Sequence, residues 1–460
     1  MTRPDPNDPG LLTAAETSLL TDLYELTMAA SYHREGMNEP AAFELFVRRL
    51  PPRREWLLVA GLGPALGLVS ELRFGERELA YLESRGFEAA FLEYLASFRF
   101  SGEIDAMPEG TVCFGNEPLV RVTARRIEAQ LLETLLLNQV NFQTMAATKA
   151  ARVVLAAGGG EPGAGQRVID FSPRRDHGID AAMKVARSAA IAGCGGTSNV
   201  AAAMRYGLEP VGTMAHSYIL SFPSEEEAFT AFLRAFPERG VLLVDTYDVE
   251  GGVRNAILAA EESRVPLRGI RIDSGDLDAL SRRARDLLDR AGMNQATIIA
   301  SGDLEEGRIA DLVAAGAPID SFGVGTDLGT SRDSPTVNGV YKIVAHADAD
   351  GIWQGVRKLS LAKETIPGAK QVFRSFGRRG TMSGDVLGAA DEDVPGKPLL
   401  EKVMRDGEFV AAESLEQLRA RAEKSLAALP ADLRRPSAEP AVEPYPVELS
   451  PQLSALAGAS

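Results

Sequence analysis

The 460-residue chain carries 49 Lys and Arg against 64 Asp and Glu, a formal charge of -15. So acidic a surface repels nucleic acid and anionic lipid, which excludes polyanion partners and leaves small anions held by local arginines or helix N-termini. Its 45% of hydrophobic residues can fill a substantial core over two or three domains. Cys113 and Cys194 have no metal-type spacing, which argues against a disulfide framework or a zinc knuckle. With no apolar leader and no run of membrane-spanning length, a cytoplasmic protein is expected, with no membrane partner.

In chain order, the proline- and aspartate-rich residues 1–10 are expected to be loose. Residues 21–34 predict a helix, with Leu23, Leu26, Thr27 and Ala30 at helical spacing. The segment AAFELFVRRL (41–50) alternates as a strand. Short β-like pieces broken by turn residues occupy 101–125, and Ile127–Val140 reads as an amphipathic helix. From 168 to 325, six apolar runs alternate with helical stretches: VIDF, PVGTMAH, VLLVDTY, GIRIDS, TIIASGD and IDSFGVGT. Such βα repetition predicts a parallel sheet, open or closed into a barrel. The stretch VRKLSLAKETIPGAKQVFR (356–374) reads as strands, and the Pro-, Ala-, Ser- and Glu-rich residues from 436 as a loose tail.

The six runs end in Asp170, His216, Asp245, Asp273, Gly302–Asp303 and Gly325–Thr326. Any one of these alone reads as a helix cap or turn residue. Six in series predict a site, because parallel sheets gather ligands at the carboxyl ends of their strands. The turns SGD (301–303) and GVGT (323–326) offer backbone amides to a phosphate without side-chain obstruction. In RIDSGD, Asp273 suits ribose hydroxyls or a metal, while Arg271 either points to the opposite face or reaches round the strand end toward phosphate.

These motifs resemble the nicotinate phosphoribosyltransferase family. The resemblance runs in order through TDLYELTM (21–28), FELFVRRLP (43–51), DFSPRRDHG (170–178), GTSNV (196–200), GTMAHS (212–217), VDTYD (244–248), IDSGDL (272–277), SGD (301–303) and FGVGTDLGTS (322–331). It implies an α/β fold: an irregular β/α barrel of the type II phosphoribosyltransferase kind with a second α/β layer domain. Residues 11–125 and 341–435 would form the layer, 126–340 the barrel with the active site, and 436–460 the tail. It further implies a homodimer with each active site at the subunit boundary. Nicotinate and phosphoribosyl pyrophosphate would be the substrates, ATP a co-substrate and Mg2+ the cofactor.

The resemblance also assigns roles. Phe171 would stack on the pyridine ring, opposite Tyr24 of the neighbouring subunit, with Asp22 beside it in the same motif; a core aromatic ending a strand is the alternative for Phe171. Arg174 would pair with the substrate carboxylate or a phosphate, with Arg175 as competitor. Asp245 and Asp273 would hold magnesium and ribose hydroxyls, with Arg271 alongside in the catalytic group. Gly302, Asp303, Gly325 and Thr326 would bind the product-side phosphate and ribose. His216 would become a phosphohistidine, although a lone strand-end histidine is more often structural. Ser198 stands where nicotinamide-using relatives carry an aspartate, which favours an acid substrate; capping the following helix is its alternative role. Ser172–Pro173 replaces a family glycine and stiffens the loop after Asp170–Phe171, and Cys194 replaces an aromatic residue. Two other readings are weaker. A Schiff-base barrel enzyme would need Lys184 or Lys342 at a strand end, where neither lies, and a silent sensor would typically lack His216 or Asp273.

Overall fold

The computed structural model describes residues 12, 16–358, 364–435 and 443–458. The chain divides into two compact units: residues 1–145 with 336–430 and 440–460, and residues 146–335 with 431–439.

The second unit is built on six parallel strands: β1 (Val168–Asp170), β2 (Gly196–Thr197), β3 (Val241–Leu243), β4 (Gly269–Ile272), β5 (Thr297–Ala300) and β6 (Ser321–Val324). They pair in the order β2-β1-β6-β5-β4-β3, a curled, open sheet of the irregular β/α barrel kind. Helices Ile179–Ile191, Glu225–Ala235, Val249–Ser263, Leu277–Arg290 and Glu306–Ala314 follow the expected pattern. Each buries an apolar stripe such as Val253, Ala256 and Ala260 or Leu277, Ala284 and Leu288.

One expected strand is absent. PVGTMAH (210–216) makes a single bridge, Thr197 to Pro210, and His216 opens the short helix His216–Ile219. The sheet instead takes β2, from GTSNV. Gly196 explains why so short a piece can pair: a Cβ there would lie 2.8 Å from the Glu209 carbonyl oxygen, so only glycine lets the two backbones approach.

The first unit carries a seven-stranded antiparallel sheet, in the order Trp353–Gly355, Gly339–Ala347, Pro40–Val47, Pro118–Arg125, Glu103–Ala106, Glu401–Arg405, Glu408–Phe409. The strand Pro40–Val47 lies inside it and is buried on both faces. Glu44 from its polar phase is fully buried and pairs with Lys370 at 2.7 Å, while Phe43 stacks on Tyr341. The expected helix at 127–140 is two helices, Arg126–Gln130 and Glu133–Ala157, the second 25 residues long. In the stretch read as strands at 356–374, Lys370–Phe376 is a strand; residues 359–363 lie outside the described residues, as do 1–11.

The expectation of a loose tail is corrected over residues 443–458, while 436–442 and 459–460 lie outside the described residues. Val447–Leu449 adds a parallel strand to Met382–Ala389, and Pro451–Gly458 is a helix whose Leu453 is fully buried. Three apolar side chains at the right register suffice where average composition suggested none.

Candidate active site

The carboxyl ends of β1, β4, β5 and β6 enclose a cavity of about 270 Å³. Phe171, Arg174, Arg175, Arg271, Asp273, Gly302, Asp303, Gly325 and Thr326 all line it. Asp245 is one hydrogen bond from that lining, through Asp273 N–H, whereas His216 and Ser198 are not among the lining residues and bond Thr246 and the Asp170 carbonyl instead. Tyr24 and Asp22 belong to the other unit.

The cap reading of the strand-end acids fails, because other residues do the capping. Asp248 accepts from Gly251 N–H, Asp276 from Ala279 N–H, and Glu305 from the Gly307 and Arg308 N–H groups. Asp245, Asp273 and Asp303 are thereby left to the site.

Arg271 reaches the cavity and is almost fully engaged. Nη2 donates to Asp273 Oδ1 at 2.8 Å, Nε to Ser301 Oγ at 2.8 Å and Nη1 to Thr213 Oγ1 at 3.2 Å, and the guanidinium sits 5.5 Å from the Phe171 ring centroid. Ser301 Oγ in turn donates to Asp273 Oδ1 at 2.5 Å. Burial alone would push Asp273 up, but the Arg271 and Ser301 donors outweigh it and hold the carboxyl below the usual range. Asp273 N–H and Ser274 Oγ–H both donate to Asp245 Oδ2, leaving the other Asp245 oxygen buried with no hydrogen bond. His216 Nε2 lies 3.9 Å from that oxygen, and its Nδ1 contacts Thr246 Oγ1 at 3.1 Å.

A second network fixes the loop after β1. Asp170, 1% exposed, accepts from Ser172 N–H and Oγ–H on Oδ1 and from Thr197 Oγ–H on Oδ2. It therefore ties the Phe171–Arg175 loop to β2. The Ser172 hydroxyl thus adds a tether that a glycine, with only its N–H to donate, would lack. Ser198 N–H donates to the Asp170 carbonyl, but its hydroxyl is buried and unpartnered. The following helix is capped by Asn199, which accepts from Ala202 N–H, so the capping role proposed for Ser198 is ruled out. Asp176 beside this loop is pushed up to about 6, by burial first and then by the Asp170 charge.

The glycines are required by close approach. A Cβ on Gly302, whose φ is +86°, would lie 1.7 Å from the Asp273 carbonyl oxygen. One on Gly323 would lie 2.4 Å from Phe171 Cδ2. Asp303 holds φ +46° without being glycine, a backbone strain of the kind that gathers at ligand sites. Beneath Gly325–Thr326, Lys149 is 1% exposed and bonds Glu306 at 2.5 Å and Asp333 at 2.9 Å, with Asp327 at 3.8 Å.

In the first unit, Tyr24 is 44% exposed on helix Leu23–Arg34. Its hydroxyl is pushed up by burial and then by Glu133, to which it hydrogen-bonds. Asp22 accepts from Thr134 Oγ–H at 3.1 Å.

Three family models match the chain: the nicotinate phosphoribosyltransferase N-terminal domain over residues 19–141, the nicotinate phosphoribosyltransferase family over 166–365, and the C-terminal domain over 396–457. Nicotinate phosphoribosyltransferase pncB2 of Mycobacterium tuberculosis is 47% identical over 441 residues, 95% of this chain and 92% of that protein. The chain belongs to the nicotinate phosphoribosyltransferase family. The Bacillus subtilis nicotinate phosphoribosyltransferase is 43% identical over 82% of this chain and 77% of its own. Human nicotinic acid phosphoribosyltransferase superposes with a TM-score of 0.81 at 28% identity, covering 96% and 99% of the two chains.

Within this family member, the sequence reading missed Ser301, Thr213, Thr246, Thr197 and the Lys149 network. Ser301 and Thr246 adjoin strand-end residues already singled out, and Thr197 lies in the GTSNV motif, so adjacency was a usable signal for them. Lys149 sits on a helix with nothing in its surroundings to mark it.

Proposed function

We propose that this chain makes nicotinate mononucleotide and pyrophosphate from nicotinate and phosphoribosyl pyrophosphate, as a step of NAD biosynthesis. The observation that carries the reading is Ser198, just past the carboxyl end of β2, whose N–H donates to the Asp170 carbonyl while its hydroxyl is buried without a hydrogen-bond partner. A hydroxyl with no acceptor of its own suits an anionic ring substituent, with Arg174 and Arg175, exposed on the adjoining loop, supplying charge.

In this reading, Phe171 stacks on the pyridine ring and aims its nitrogen at the anomeric carbon of the sugar donor. The new bond is C–N; the bond that breaks joins that carbon to pyrophosphate, which leaves with both electrons. No group on the enzyme must move a proton, so the site works by positioning. Asp273, fixed by Arg271 and Ser301, holds ribose hydroxyls, and the Gly302–Asp303 and Gly325–Thr326 amides cradle the ribose-borne phosphate. Arg271 has few donors left for a ligand, so it acts as a positioning residue.

The carboxylates of Asp245 and Asp273 fit magnesium: Asp245 keeps one oxygen buried without a hydrogen bond. Among the described residues no metal-holding cluster of three or more His, Cys, Asp or Glu is present, so water and phosphate oxygens would have to complete the shell of an ion held there. Bound there, it would neutralise charge on the leaving pyrophosphate.

ATP coupling through His216 belongs to the same proposal. Nδ1 is held at Thr246 and the side chain is 42% exposed, so Nε2 is the nitrogen free to take a phosphoryl group as ADP leaves. Water would then cleave the P–N bond. We also propose a homodimer in which Tyr24 serves the neighbouring chain's site; its exposure supports this.

The test incubates the chain with nicotinate, ribose-labelled phosphoribosyl pyrophosphate and magnesium, with and without ATP, and identifies products by mass. Labelled nicotinate mononucleotide is expected, with acid-labile phosphate on the parent and none on His216→Ala. No labelled nucleotide refutes the transfer; equal labelling of His216→Ala refutes the phosphohistidine.

A further inference from the structure

A larger cavity, of about 500 Å³, lies wholly within the layer unit. Strands Lys370–Phe376 and Met382–Ala389 and helix Leu415–Ala427 contribute its walls. Five cations line it, Arg374, Arg379, Lys397, Arg421 and Lys424, against one carboxylate, Glu401. Two of the five are spoken for. Arg374, 2% exposed, is gripped by Asp385 through Nε and Nη2 and donates to the Val112 carbonyl; Arg421 pairs with Glu413.

The other three are exposed and have no ion-pair partner among the described residues. Lys424 alone would be explained by its place in the last turn of its helix, where a cation meets the negative end of the dipole. That explanation does not reach Arg379, on the turn between the two strands, or Lys397, on a separate short strand. Three free cations from three different elements meet at one concavity on a chain whose net charge is -15. The wall between them is apolar: Phe376, 45% exposed, with Met382 and Leu399.

We propose that this cavity binds a phosphate ester of nucleotide size, the phosphate held by Arg379, Lys397 and Lys424 and the flat organic part against Phe376 and Met382. The volume falls within the range of small-molecule sites, and cations around an apolar wall are the chemistry such an ester needs. None of the lining residues belongs to the barrel unit, so occupancy here adds to whatever the barrel mouth binds.

The experiment is calorimetric titration of the full chain with AMP, inorganic phosphate and adenosine, on the parent and on the triple variant R379S/K397Q/K424Q. All three positions are exposed, and thermal midpoints check that the fold is kept. The triple variant should lose one AMP site per chain, or bind it at least tenfold more weakly, while its nicotinate and phosphoribosyl pyrophosphate kinetics without AMP stay as in the parent. Adenosine should bind this site at least tenfold more weakly than AMP. Identical AMP stoichiometry and affinity in parent and triple variant would overturn the proposal, as would adenosine matching AMP. Because the readout counts sites and not turnovers, it stands or falls apart from the transferase reading.

Discussion

Gly323→Ala tests whether the Phe171 ring is the platform for the pyridine. The added Cβ would lie 2.4 Å from Phe171 Cδ2 and 2.5 Å from Cε2. Ordinary carbon contacts are about 3.5–4.0 Å, so the ring must retreat by roughly 1 Å. Its backbone cannot follow easily, since Phe171 N–H donates to the Val324 carbonyl at 2.8 Å. The ring therefore rotates out of its place beneath Arg271. Overpacking of this kind costs about 1–3 kcal/mol of stability. Losing offset stacking, worth about 0.5–1.5 kcal/mol, should raise KM for nicotinate roughly 2- to 13-fold. A 1 Å misplacement of the reacting ring can lower kcat by about 10²-fold as well. Gly67→Ala, where an added Cβ meets nothing within 4 Å, is the control and should leave kinetics unchanged. Initial rates over a nicotinate series at saturating sugar donor decide the matter. If Gly323→Ala loses thermal stability yet keeps the parent KM and kcat, the ring has moved without consequence and Phe171 is a core aromatic only.

Three further outcomes are expected. Lys149→Met removes the buried cation that Glu306, Asp327 and Asp333 share, and although Glu306 keeps Arg152 and Asp327 keeps Arg332, it should cost up to about 3–5 kcal/mol in denaturant unfolding; an unchanged midpoint would contradict the network. Asp176 has its folded value raised to about 6, so its favourable contribution is complete below the unfolded value near about 3.9 and lost as pH rises through about 6. Asp176→Asn, permanently neutral, should therefore raise the thermal midpoint above pH ~6 and not at pH ~4; a gain of equal size at both would show that charge is not the cause. Tyr24→Ala and Asp273→Ala should each be nearly inactive, and mixing them should restore about one site per mixed dimer; no recovery means Tyr24 does not serve a neighbour.

Much of the site was legible because strand ends repeat. Asp245, Asp273, Gly302 and Gly325 follow apolar runs that alternate with helical stretches as the strands of a parallel sheet do, and the capping alternative fell to acids three residues or fewer further on, such as Asp248 and Asp276. His216 was legible by motif but not by element. Its run PVGTMAH has strand-like residues, yet tertiary pairing went to Gly196–Thr197, whose missing side chain lets the backbone of 209–211 close in. Glu44 shows the other failure: alternation implied a solvent face, while Lys370, 326 residues away, buries it as an ion pair. Long-range partners of that kind leave no local periodicity, which is why the Lys149 cluster, with partners 157 and 184 residues away, was invisible too. The folded tail shows the converse error, where mean composition hid three well-placed apolar residues, Val447, Leu449 and Leu453.

The most direct measurement compares initial rates with nicotinate and with nicotinamide, on the parent and on Ser198→Asp, at fixed sugar donor and magnesium. The buried Ser198 hydroxyl has no hydrogen-bond partner, and on the proposed placement of nicotinate a carboxylate in its position would face the substrate carboxylate in a partly dehydrated site. Even at an effective dielectric near 20, two like charges about 4 Å apart repel by about 4 kcal/mol, close to a thousandfold in kcat/KM. Strong parent preference for nicotinate, collapsing by at least a hundredfold in Ser198→Asp, is the predicted result. A parent that prefers nicotinamide, or a substrate ratio unmoved by the substitution, would contradict it.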